Sequence, residues 1–373
     1  MGRALAQGFA GFAGILDTSF LMPVIALYAM SLGATPAQAG AITALYSAAA
    51  IPASVLAGIL VDRFGRRRTL TLGLLWDSAV VFLYAYAGDY IFLAFLRVLH
   101  ALGGSLVFPA LISMARESDS NGRNGLVRVL ASIAVAIAVG SAASGILTSR
   151  IGYGKAFFLL SAVIAIAGIV STSLPETLPE GMKGAAGSFR ELKHIRSPVF
   201  RGLWLIFFLY VALGIITGGL ATSLVYRGLW EERSARMVVG LGLGVASLVA
   251  AGGFFVYGRL LSRITPGKIA LYSSLLSSAG LLTGAAFLSP GQLLVSLGIF
   301  GVGISGLMLS STVFVTDVPP EVRGTSVGLQ QVFNILGVTV GASIGGFLAA
   351  LGPPPVLIFA GLALVLGGTA IFK

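Results

Sequence analysis

The chain has 373 residues, of which 57% are hydrophobic and only 10% charged, and its formal net charge is +11. Soluble domains carry roughly a quarter charged residues, so this composition excludes a mainly soluble protein. The absence of cysteine excludes disulfides, zinc–thiolate sites and cysteine nucleophiles.

Apolar runs of about 20 residues, the span that crosses a hydrocarbon core of ~30 Å, recur along the whole length. Taken in chain order, they predict helices near 5–30, 38–60, 69–87, 91–115, 124–148 and 155–174. After a polar stretch at 175–199, six more follow near 200–226, 237–260, 269–288, 292–316, 324–350 and 355–372. The first run is too long for a cleavable leader and lacks a cleavage site after it, so it reads as a retained span. The polar stretch, with Glu176, Glu180, Lys183, Arg190, Glu191, Lys193, His194 and Arg196, reads as a linker between residues 1–174 and 200–373. Fifty-one glycines fit helices that pack closely in lipid.

Basic residues alternate from loop to loop. Eighteen of the 24 Lys and Arg fall on the side of the termini and the linker, and five (Arg150, Lys155, Arg227, Arg233, Arg236) on the other. The membrane expected is the plasma (inner) membrane, and this asymmetry predicts both termini and the linker on its cytoplasmic side. It also accounts for the positive charge without nucleic acid, for which no motif is present. The halves echo one another at an offset of two hundred residues: Gly58, Leu60 and Arg63 against Gly258, Leu260 and Arg263, and Arg123 against Arg323. A duplicated unit in a membrane chain points to a transporter built from two similar bundles.

The turn between the second and third helices reads Gly58-Ile59-Leu60-Val61-Asp62-Arg63-Phe64-Gly65-Arg66-Arg67-Arg68. The fourth helix carries Arg97-Val98-Leu99-His100-Ala101-Leu102-Gly103, Pro175-Glu176-Thr177 closes the sixth, and the first has Leu16-Asp17 followed by Pro23-Val24. These four elements resemble signatures of the major facilitator superfamily, most similar to its twelve-helix drug/proton antiporters. The fifth helix departs from the antiporter pattern, with Ala136, Gly140, Ser141, Ser144 and Gly145 and no proline. Helix 11 keeps a fuller glycine series at Gly337, Gly341, Gly345 and Gly346. The resemblance implies an all-α membrane protein of twelve transmembrane helices in two pseudo-symmetric six-helix bundles. It further implies that Gly58, Asp62, Arg63, Gly65 and Arg66 form a cytoplasmic gate. An acid among the arginines goes beyond a plain positive anchor: Asp62 can accept hydrogen bonds from a helix N-terminus or pair with an arginine.

Few ionisable residues lie within the spans, and each costs ~2.5–3.5 kcal/mol at the bilayer centre unless it has a partner or a use. At 1.5 Å per residue, Asp17 lies about 12 Å below the outer edge, Arg97 about 9 Å and His100 about 14 Å. The three share a level, and Asp17 is expected to pair with Arg97 in a proton-coupling site with His100. Asp77, on a helix the resemblance makes peripheral, is expected to have a structural partner. Weaker candidates for the substrate cavity are Tyr46, Tyr210, Thr217, Gln330 and Asn334, with Ser305 and the run Ser310-Ser311-Thr312 as further polar groups.

The function expected is secondary active transport by alternating access, as proton-coupled efflux of a small amphipathic or hydrophobic molecule. The alternative is a proton-coupled importer or uniporter of a metabolite such as an organic acid. A membrane-embedded enzyme or lipid-handling protein is a remote reading, since no metal-ligand motif and no G-x-S-x-G are present. An ATP-driven pump lacks its phosphate loop. No cofactor beyond the coupling proton is expected, and the partners expected are substrate and lipids around a monomer.

Overall fold

In the computed structural model, residues 2–118, 123–179 and 196–369 are described. Most of the 175–199 linker, including His194, therefore lies outside the described residues. Among them every regular element is a helix, and there are thirteen. In chain order these are α1 (Arg3–Leu21), α2 (Ile25–Ser31), α3 (Pro36–Phe64), α4 (Arg66–Tyr84), α5 (Tyr90–Glu117), α6 (Arg123–Ile151) and α7 (Tyr153–Ser171). There follow α8 (Arg196–Tyr226), α9 (Glu232–Leu260), α10 (Pro266–Ala286), α11 (Pro290–Thr316), α12 (Pro320–Ala349) and α13 (Pro353–Thr369). Ten are long and apolar enough to cross a membrane. The others are α4, made more polar by its arginines and Asp77, the 17-residue α13, and α2.

The predicted first span is therefore split in two. Pro23 follows Phe20 and Leu21, and a proline ring cannot donate to the helix ladder and crowds the carbonyl a turn before it. The helix breaks at Met22–Val24 and resumes as α2. Elsewhere helix starts follow local chemistry. Thr35 and Gln38 form a capping box on α3, Asp89 caps α5 through the amides of Ile91 and Phe92, and Pro266 and Pro290 occupy the first positions of α10 and α11.

The chain divides into two compact units, one of Met1–Ile195 with Val318–Val332 and one of Arg196–Asp317 with Phe333–Lys373. Packing pairs repeat between them. In the first, α3 and α4 lie on α5, and α4 on α7; in the second, α9 and α10 lie on α11, and α10 on α13. Large apolar side chains such as Phe95, Ile169 and Phe347 stand exposed, which suits a lipid-facing surface. This is the expected all-α fold of twelve membrane-crossing helices in two six-helix bundles, with one crossing broken.

Candidate functional site

The first site is built on the turn between α3 and α4. Gly65 has φ +100°, a conformation side chains rarely adopt, and a Cβ there would run into the Glu176 carboxylate. Glu176 takes that space to cap α4, accepting from the amides of Arg66 (2.9 Å) and Arg67 (3.3 Å). One turn before Gly65, Asp62 is fully buried. Its Oδ1 accepts from the Gly324 amide, and its Oδ2 accepts from both the amide and the hydroxyl of Thr325, each at 2.7 Å. The carboxylate thus sits on the positive end of α12, where backbone donors and helix dipole both favour an anion.

Arg66 is also fully buried. It pairs with Asp62 at 3.2 Å and with Glu117 at 3.1 Å, and donates to the Pro320 carbonyl. Glu117 in turn receives Arg323 and, at 2.6 Å, the Thr177 hydroxyl. Breaking one member of such a buried network costs about 3–5 kcal/mol. Gly58 lets α3 approach closely enough: a Cβ there would lie 2.6 Å from the Gly324 oxygen and 2.7 Å from the Thr325 Cα. Arg63 is exposed, with its guanidinium 5.7 Å from the Phe64 ring centroid. The clamp therefore uses Gly58, Asp62, Gly65 and Arg66, joined by Glu176 of the Pro175-Glu176-Thr177 signature, by Arg323 of the internal repeat, and by Glu117 and Thr325, which the sequence reading does not single out. The Arg116-Glu117 pair ending an apolar helix was the available signal for Glu117.

The second site lies inside the first unit. Asp17 of α1 and His100 of α5 are both buried, and His100 Nε2 is 2.8 Å from Asp17 Oδ2. With Asp17 ionised, Nε2–H donates, and in a neutral ring Nδ1 then accepts from the Tyr84 hydroxyl, 3.1 Å away. The Tyr84 carbonyl is held by the Tyr28 hydroxyl at 2.6 Å. Tyr46 reaches toward the Thr18 hydroxyl at 3.4 Å and packs edge-on against the imidazole.

The expected Asp17–Arg97 pair does not form. Arg97 lies one turn from His100, and its guanidinium stacks over the Tyr46 ring at 4.7 Å. The shorter imidazole fits between α1 and α5 and takes the carboxylate, while the planar guanidinium engages a π face.

Asp77 corrects a second expectation. It is not a peripheral residue with a structural partner but a member of this cluster. Ligand atoms of Asp17, Asp77 and His100 all lie within 4.8 Å of one another. Gly103 and Gly104 make this possible, since a Cβ on Gly103 would lie 2.5 Å from Asp77 Oδ1. Asp77 is fully buried, and among the described residues neither of its oxygens has a hydrogen-bond partner. Such a carboxylate is costly, so it marks function more often than packing. Although the sequence offers no metal-ligand motif, three potential ligands meet here. Both imidazole nitrogens and both Asp17 oxygens are engaged, which leaves the Asp77 carboxylate as the free acceptor.

The weaker candidates scatter. Tyr46 belongs to the charged cluster. Tyr210, half-buried, packs against Gly337, and exposed Thr217 donates back to the Leu213 carbonyl at 2.9 Å. Gln330 and Asn334 are buried, four residues apart on α12. Ser305, Ser311 and Thr312 donate to the carbonyls of Val302, Gly202 and Met308, which is packing chemistry.

The family model described as Major Facilitator Superfamily matches residues 8–229. The 3-(3-hydroxy-phenyl)propionate transporter of Escherichia coli (strain K12) is 26% identical over 86% of this chain and 81% of its own length. Multidrug resistance protein 2 of Bacillus subtilis (strain 168) is 21% identical over 97% of this chain and 92% of its own. Among solved structures, the human organic anion transporter MFSD10 (TETRAN) aligns with a TM-score of 0.77 at 17% identity, covering 99% of this chain and 98% of its own. The chain belongs to the Major Facilitator Superfamily, as a multi-pass integral membrane transporter and not an enzyme.

Proposed function

We propose that this protein is a proton-coupled secondary transporter that exports a small amphipathic organic molecule by alternating access, with both termini in the cytoplasm of a plasma or inner membrane. The observation that carries this reading is the buried Asp17–His100 pair, with Arg97 and the unpartnered Asp77 beside it. Ionisable groups at that depth are retained for ion movement far more often than for stability. In this reading the clamp around Asp62 and Arg66 secures the cytoplasmic end in one state and opens in the other.

A second reading is import of an aromatic or other organic acid, and it is favoured by the similarity to the Escherichia coli transporter. Arg97, offered on the face of Tyr46, is the group that would meet a carboxylate. The test is flux in proteoliposomes under an imposed pH gradient, using the best binder from a thermal-shift screen of cationic drugs and aromatic acids. Gradient-driven transport that a protonophore abolishes supports coupling, and the sign of the gradient that drives it gives direction. Transport indifferent to the gradient overturns proton coupling.

A further inference from the structure

Where α4 begins and α7 ends, the first unit carries a groove of ≈ 420 Å³. Arg67, Arg68, Thr71, Leu72 and Leu75 of α4 line it, with Thr172 just beyond α7. Arg68, Thr71, Leu72 and Leu75 recur at spacings of three and four, so they share one face of α4. Two contacts join the helices at this level. The hydroxyls of Thr71 and Ser171 meet at 2.7 Å, and Leu75 lies against Gly168, where a Cβ would come within 2.7 Å of its Cδ2. Down the face the order is guanidinium, hydroxyl and then the exposed side chains of Leu72 and Leu75, over about 10 Å of helix. A phospholipid has the same order: phosphate, glycerol ester, acyl chain.

The charge at the top of the groove is unspent. Glu176 is the acid beside it, and its oxygens accept from the amides of Arg66, Arg67, Thr177 and Leu178. That carboxylate therefore caps backbone and pairs with neither guanidinium of the groove. Arg66 is turned inward to Asp62 and Glu117. Arg67 reaches the Leu174 carbonyl at 3.4 Å, and among the described residues neither Arg67 nor Arg68 meets a carboxylate. The second unit shows what a plain basic anchor needs. At an offset of two hundred residues α10 has Gly267, Lys268, Leu271, Tyr272 and Leu275. One lysine stands there for two arginines, and a leucine stands for Thr71.

We propose that this groove binds one anionic phospholipid. Arg67 and Arg68 take the phosphate, Thr71 and Thr172 face the ester region, and an acyl chain runs along Leu72 and Leu75. Arginine forks match phosphate oxygens, and basic pockets between transmembrane helices suit anionic head groups. A free phosphate would use the upper half of the groove and leave the apolar half empty. A zwitterionic lipid would bring its own cation to two unpaired guanidiniums. The site stands apart from the buried cluster of α1, α4 and α5, and nothing in it depends on proton coupling or on the direction of transport.

The test is native mass spectrometry of the full-length protein released from detergent, with phosphatidylglycerol or phosphatidylcholine of the same acyl chains added. Wild type is expected to retain one phosphatidylglycerol in preference to phosphatidylcholine. Arg67→Gln with Arg68→Gln should weaken that retention by roughly tenfold or more, since two basic contacts are removed. Lys268→Gln, the counterpart in the second unit, should leave it unchanged. Arg68→Gln alone alters an exposed side chain, so it covers the case in which the double variant fails to fold, and it should give a partial loss. Equal retention of the two lipids by wild type overturns the proposal, as does a loss in Lys268→Gln as large as in the double variant. Displacement of the lipid by an equal concentration of glycerol phosphate overturns it in favour of a free phosphate. A dimer that Arg68→Gln abolishes, without lipid preference, overturns it in favour of a second copy of the chain. Because no flux is measured, these results are independent of the transport test.

Discussion

Thr325 gives both its amide and its hydroxyl to one carboxylate oxygen of Asp62, 263 residues away in the chain and 2.7 Å away in space. A buried acid at the α3–α4 turn thereby fixes the first turns of α12. Asp62→Asn keeps one acceptor oxygen and leaves Glu117 as the one carboxylate paired with Arg66, at an expected cost of about 3 kcal/mol. Thr325→Ala removes the hydroxyl bond only and is expected to cost about 1 kcal/mol. Thermal unfolding in detergent should rank wild type above Thr325→Ala and Thr325→Ala above Asp62→Asn; the reverse order would remove Asp62 from the clamp.

Gly58 tests the close approach beneath that carboxylate. Its added Cβ would meet the backbone of Gly324 and Thr325, which cannot swing aside as a side chain can. Gly58→Ala is expected to destabilise by about 1–3 kcal/mol. Gly240→Ala, a helical glycine with nothing near its Cβ position, should be neutral or slightly stabilising. The difference between the two melting temperatures is the measurement.

Glu176 caps α4 from beyond the end of α7, and Gly65 leaves it room. Glu176→Ala leaves the α4 amides of Arg66 and Arg67 uncapped, along with the amides of Thr177 and Leu178, and is expected to cost about 1–2 kcal/mol. Gly65→Ala combines strain at φ +100° with displacement of the same carboxylate, so it should cost more. Adding Glu176→Ala to Gly65→Ala should cost less than the sum, which a double-mutant cycle on thermal unfolding reads directly.

The Asp17 carboxylate sets the proton on the imidazole, and the Tyr84 hydroxyl meets the other ring nitrogen. The chain has two histidines, so ¹⁵N-histidine labelling with His194→Gln leaves a single ring to observe. Wild type should show a neutral ring with its proton on Nε2 and Nδ1 accepting a hydrogen bond. Tyr84→Phe should move the Nδ1 resonance to that of an acceptor without a partner, with Nε2 unchanged.

Much of this was legible in the sequence. Apolar runs placed the helices to within a few residues at most ends, and the Gly58–Arg68 turn announced a buried acid among arginines. Counting 1.5 Å per residue put Asp17 and His100 at one level, and the structure brings them into contact. What escaped was reach. Whether Asp17 meets a guanidinium or an imidazole depends on side-chain length across the α1–α5 gap, and Arg97 finds a ring face instead. Asp77 escapes because the family resemblance makes its helix peripheral, whereas two adjacent glycines on α5 let it into the cluster. The donors of Asp62 escaped because they are backbone amides, which no residue type advertises.

Proton coupling through the buried cluster is the central claim, and Asp17→Asn tests it most directly. The measurement compares transport driven by a pH gradient with substrate exchange at equal pH, in the same proteoliposomes. The account expects the variant to lose gradient-driven accumulation, by at least about tenfold, roughly 1.4 kcal/mol of driving force, while exchange persists. Accumulation at the wild-type level in Asp17→Asn would contradict it.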